Sequence, residues 1–140
     1  MSGGDFAASL PARRAALLLA LALAMSAASA QFNARAQASY RSESLDLQLI
    51  WLDDESATAA VSATLSQGSC SGSLAGLGRM SQRRLVIEPY RKLPQGEDCR
   101  LVLDFDARWN EVRSSTQGHC APYAGAACEF AAQTARRQRP

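Results

Sequence analysis

The side chains with chemical potential are few: four cysteines, one histidine and several carboxylates. Cys70, Cys99, Cys120 and Cys128 are the only cysteines. Their spacing contains no Cys-x-x-Cys knuckle, so it does not match a structural zinc site. Disulfides are the expected use if the chain is exported. His119 is the single histidine. As a general base it would need a nucleophile and an orienting carboxylate, and nothing in the sequence groups these around it. Asp104 and Asp106 share one face of an extended stretch. Two carboxylates so placed could work as an acid/base pair or hold a cation. A solvated face paired to Arg100 and Arg113 is the plainer reading. Asp53-Asp54-Glu55 is an acidic turn without the alternating ligands and glycine of a calcium loop. No catalytic set, metal or cofactor is expected. Trp109 and Tyr123 fall at loop positions. They are candidate protein-binding anchors, although folding back over the ends of a small core is the preferred reading.

The N-terminus bears on the cysteines directly. Arg13 and Arg14 precede an uninterrupted apolar run from Ala15 to Met25, and Ala28-Ser29-Ala30 is a small-x-small cleavage motif. Residues 1–30 therefore read as a cleaved secretory signal, cut between Ala30 and Gln31. The apolar run is too short to span about 30 Å of hydrocarbon, so no membrane span is expected. Ala15-Ala16 is a poor continuation of a twin-arginine signal. Cutting after Ala30 leaves 110 of the 140 residues, enough for one domain with a modest core. It also leaves 13 of the 15 basic and 12 of the 13 acidic residues. That near balance argues against nucleic acid as partner, which demands a clustered basic surface. Periplasmic or secreted localisation follows, with both cysteine pairs oxidised.

The elements that would position these residues read as strands. Cys99, Leu101, Leu103 and Phe105 alternate with Arg100, Asp104 and Asp106, the period of a half-buried strand. Val102 breaks the outer face and implies cover there. Leu45, Leu47, Leu49 and Trp51 alternate with Asp46, Gln48 and Ile50. Ala59 to Leu65 reads as the returning strand of a hairpin, and an alanine-rich helix over 54–65 is the competing reading. Cys70 to Met80 carries Gly72, Gly76 and Gly78 on one face, as in a strongly coiled strand. No lysine follows these glycines, so they do not form a phosphate loop. Arg84–Pro89, Glu111–Ser115 and Cys128–Thr134 complete about seven strands. Gln31–Ser44 shows no periodicity and reads as a flexible leader, and residues 135–140, with Arg136, Arg137 and Arg139, as a basic frayed tail. The domain at 45–134 is thus all-β: a small antiparallel meander forming a barrel or sandwich, with two disulfides.

Four cysteines allow three connectivities. A turn around Arg108 and Trp109 brings Cys120 toward Cys99, leaving Cys70 for Cys128. Cys120–Cys128 with Cys70–Cys99 is the local alternative.

The run Cys70-x-Gly72-x-Leu74-x-Gly76, then Cys99-x-Leu101-x-Leu103-x-Phe105, then Cys120-x-x-Tyr123-x-Gly125-x-x-Cys128-x-Phe130 resembles small exported β-domains of Gram-negative bacteria grouped with lysozyme-inhibitor-like envelope proteins. The resemblance implies an exported envelope protein and raises lysozyme as a partner. It carries over no inhibitory contact residue by residue. The expectation is a non-enzymatic binder of a protein or envelope component. A small periplasmic hydrolase using Asp104 or Asp106 with His119 is the rival, and a purely structural periplasmic protein the third reading.

Overall fold

A computed structural model describes residues 37–53 and 57–139. The signal segment with Ala28, Ala30 and Gln31, the first part of the leader, and Asp54, Glu55 and Ser56 of the acidic turn lie outside the described residues.

Eight antiparallel strands follow one another around a closed barrel: β1 (Gln37–Arg41), β2 (Leu45–Asp53), β3 (Thr58–Gln67), β4 (Cys70–Ser81), β5 (Arg84–Pro89), β6 (Arg100–Phe105), β7 (Glu111–Gln117) and β8 (Thr134–Arg137). A single helical turn, α1 (Ala121–Ala124), lies between β7 and β8. Of the two readings of this stretch, the described part from Thr58 to Leu65 is strand, the returning arm of a hairpin. Leu45↔Leu65 through Trp51↔Ala59 pair β2 to β3.

Alternation decides which side chains enter the barrel. Leu45, Leu47 and Leu49 of β2, Val61 and Leu65 of β3, Leu85 and Ile87 of β5, and Leu101, Leu103 and Phe105 of β6 all point inward and are buried. An eight-stranded barrel is just wide enough for such side chains to fill it, and these form one continuous cluster. Val102 points outward yet is also buried. It sits opposite Val86, between the Arg84–Asp104 and Arg100–Glu88 ion pairs.

Two parts differ from the sequence expectation. Gln37–Arg41, read as leader, is β1 and pairs with β2 from Gln37↔Ile50 to Arg41↔Asp46. Cys128–Thr134, read as the last strand, is irregular up to Gln133 and turns at Ala131–Ala132, with Ala132 at φ +58°. The closing strand is instead Thr134–Arg137, largely within the stretch read as a frayed tail. Phe130 nevertheless points into the core as expected.

The coiling of β4 explains its glycines. A Cβ on Gly76 would run into the Glu88 carbonyl of β5, and one on Gly72 would lie 2.6 Å from Ala124 Cα. Only the second half of β4, from Gly76 onward, pairs with β5. The first half receives α1, so bare backbone there lets the helical turn seat directly on the strand.

Candidate binding surface

Each sulfur pair follows from the strand layout. Cys99 precedes β6 and Cys120 follows β7, which Arg100↔Gln117 holds in register. They are bonded across a Cα separation of 4.8 Å. Cys70 opens β4 and is bonded to Cys128 across 5.9 Å, which ties the segment after α1 to the barrel wall. No free cysteine remains. Pairs of this kind form and persist in oxidising compartments.

The structure distributes the titratable residues rather than gathering them. The His119 main-chain N–H donates to Asp98 Oδ1 at 3.1 Å, at the Arg100 end of β6. Asp104 lies four residues along β6 from Arg100, about 13 Å at 3.3 Å per residue. It accepts two bonds from the Arg84 guanidinium, at 2.7 and 3.2 Å. Its partner is therefore Arg84 and not Arg100, which reaches across to Glu88. Asp106 closes the β6–β7 turn, accepting from the N–H groups of Asn110 (2.7 Å), Glu111 (2.9 Å) and Arg108 (3.4 Å). Those bonds, the one from Glu111 foremost, hold its carboxyl below the usual aspartate range. His119, Asp104 and Asp106 are thus not brought together. Among the described residues no group of three or more His, Cys, Asp or Glu side chains is arranged to hold a metal.

The two aromatic residues fold back on the core. Trp109 stacks on Phe105 with ring centroids 4.8 Å apart, and the Tyr40 hydroxyl donates to the Trp109 carbonyl at 3.1 Å. Together these rings cover one end of the barrel. Tyr123 is buried in the other end cover. Its hydroxyl accepts from the Leu93 N–H at 3.0 Å and shares its proton between the carbonyls of Arg91 (3.0 Å) and Gly96 (3.2 Å). Its surroundings make it a structural clamp, not a surface anchor.

A different set of residues forms a surface with binding character. Among the described residues the large exposed apolar side chains are Ile50, Leu52, Leu77 and Tyr90, each 41–61% exposed. Three lie on β2 or β4, and Tyr90 directly follows β5. The register places Ile50 beside Ala60, Ala60 beside Leu77 and Leu77 beside Glu88, a single row around the outer wall. Leu52 lies two residues along β2, and Tyr90 N–H bonds to the Ala75 carbonyl two residues before Leu77. Between β3 and β5 this face is hollowed by a groove of about 410 Å³, floored by Leu77, Gly78 and Val86 and rimmed by Arg79 and Glu88. The Arg100 guanidinium, and less strongly Lys92, hold the Glu88 carboxyl below the usual range, so Glu88 stays ionised beside the cationic Arg79.

An apolar centre with a charged rim is the anatomy of protein interfaces. The signal was available in the sequence. Ile50 and Leu77 occupy the wet phase of otherwise well-alternating strands, where large apolar side chains are the informative exception.

No family model, no curated protein and no solved structure matches this chain. Among the described residues no helix is long and apolar enough to cross a membrane.

Proposed function

We propose that this chain is an exported, disulfide-stapled binding protein of the bacterial envelope that engages a folded protein through the outer face of β2–β5. One observation carries the reading: among the described residues the large exposed apolar side chains collect on that single face, while the barrel interior is filled by its own side chains. A ligand in the lumen of a small barrel would need space that Leu47, Leu103 and Phe105 already occupy. Partner contact on the wall needs only the desolvation of side chains that water now covers, about 25 cal/mol per Å² of apolar area. The two disulfides and the signal-like N-terminus support a periplasmic or secreted location. Lysozyme is the first partner to try, because the resemblance in cysteine and strand rhythm points there.

The test is capture from periplasmic extract, with purified lysozyme as a separate arm. Wild-type protein should retain a partner, and Leu77→Lys should weaken retention about tenfold or more, the effect of truncating an interface anchor. Leu77 is exposed, so the variant keeps the fold. Equal retention by wild type and Leu77→Lys would overturn the assignment of this face.

A further inference from the structure

The last strand covers only part of its neighbour. β8 pairs with Glu111, Val112 and Arg113 of β7. One residue further, the Ser114 N–H donates to the Gln133 carbonyl and the Ser114 carbonyl accepts from the Ala132 N–H, both at 2.9 Å. After that the chain leaves β7. In an antiparallel ladder the N–H and C=O of alternate residues point to the same side. Just past β6 the Asp106 N–H donates to the Glu111 carbonyl of β7, while the Phe105 N–H donates away from β7 to the Arg83 carbonyl. Asp104↔Arg113, Val102↔Ser115 and Arg100↔Gln117 are therefore the bonded pairs of that ladder, and Thr116 directs its N–H and C=O away from β6. Thr116 lines a groove of about 730 Å³ together with Gln67, Cys120, two residues of α1 and the segment 125–133. Among the described residues neither main-chain group of Thr116 has a partner.

We infer that this groove is a second binding site, distinct from the β2–β5 face, and that it receives an extended peptide segment of another protein by strand addition to β7 at Thr116. An unpaired donor and acceptor on a strand edge are the complement of an extended backbone. The incoming strand takes the line that β8 would have followed had the chain not turned away at Ala132. The groove wall also selects its side chains. Ala121, Ala124, Ala126 and Ala127 contribute one methyl each, and Glu129 is the only ionisable side chain in the lining. The segment that fits has small uncharged residues and one lysine or arginine opposite Glu129.

The experiment uses the oxidised mature chain, ¹⁵N-labelled, titrated with the acetylated and amidated pentapeptide Ala-Ser-Lys-Ser-Ala. Saturable shifts centred on the Thr116 amide, with slowed exchange of that amide, are expected at peptide concentrations below about 1 mM. N-methylation of the peptide at alternate backbone nitrogens should weaken binding about tenfold or more, because the lost bonds cannot be replaced. Exchanging lysine for glutamate in the peptide should weaken it too. Thr116→Pro removes an N–H that β6 does not use and should weaken binding with the β6–β7 amides still protected. Ala126→Trp, which fills the groove, should abolish it. Three outcomes each overturn the inference: full binding by the N-methylated peptide, shifts confined to the β2–β5 face, or no saturable binding. Concentration-dependent protection of Thr116 in protein alone would assign the edge to a second copy of the chain and overturn it as well.

Discussion

The hydroxyl of Tyr123 organises more main chain than any other side chain in its end of the barrel. It joins Arg91, Leu93 and Gly96 of the loop to α1. Tyr123→Phe keeps the ring and removes all three contacts, leaving part-buried carbonyls and an N–H without their partner. The expected loss is about 1–3 kcal/mol, read from urea denaturation, while capture of a partner on the β2–β5 face should not change. At the opposite end Asp106 acts through its ionised form. Its folded pKa lies below the unfolded aspartate value, about 3.9. The stabilisation is therefore present above that pH and is lost as the pH falls through the lower folded value. Unfolding midpoints measured between neutrality and about pH 2 should fall steeply below about pH 4. Asp106→Ala should lower the neutral-pH midpoint and flatten the acid limb, since alanine cannot accept from Asn110, Glu111 or Arg108.

The seating of α1 and the following segment on β4 depends on two features at the scale of elements. One is the bare backbone at Gly72, and the other is Cys70–Cys128, which closes a span of 58 residues. In the chain-entropy description such a loop contributes about 4 kcal/mol, and the 21-residue span of Cys99–Cys120 about 3. Replacing Cys70 and Cys128 together by alanine should lower stability by about 2–5 kcal/mol, read by urea denaturation. It should also raise amide exchange through 121–133 before the β2–β3 hairpin is affected. Much of this element structure was legible in the sequence, for a physical reason. β2, β3, β5 and β6 each carry at least two inward apolar residues in phase, bounded by turn residues, so their period is readable. The register about the Arg108–Trp109 turn favoured the observed sulfur pairing over the local alternative without deciding between them. β1 and β8 were not legible because each contributes one large or fully buried inward residue, Tyr40 and Ala135, and one residue makes no period. The segment after Cys128 misled because Phe130 does reach the core, but from a turn. Tyr123 was readable as aromatic in a loop, while its three main-chain partners belong to a distant loop that local sequence does not place beside it. The β2–β5 face was present in the sequence as apolar residues in the wet phase. Recognising it required knowing that Ile50, Ala60 and Leu77 fall in one row.

The described residues form a closed ring of strands, and such a ring is only as cooperative as its weakest seam. β3 and β4 share ten register pairs. β8 joins β7 by three and β1 by two. Neighbouring bonds add little: Arg137 N–H to the Asn110 carbonyl and Gln138 N–H to the Ser39 carbonyl, each 2.8 Å. The single fully buried residue of β8 is Ala135, so lifting this strand exposes little apolar surface. Separating β3 from β4 would instead uncover Val61, Leu65 and Leu74. Local opening at the seam should therefore require a fraction of the global unfolding free energy. In native-state hydrogen exchange, the Arg137 and Gln138 amides should exchange through an opening insensitive to low urea. Amides of the β3–β4 ladder should follow the urea dependence of global unfolding. Equal urea dependence across both sets would mean that the ring opens only as a unit, with β8 held by more than its register pairs. The same seam bounds the groove at Thr116. An extended segment added there would lengthen the β7 ladder past Ser114, so a ligand at that site should slow exchange at Arg137 and Gln138 as well as at Thr116.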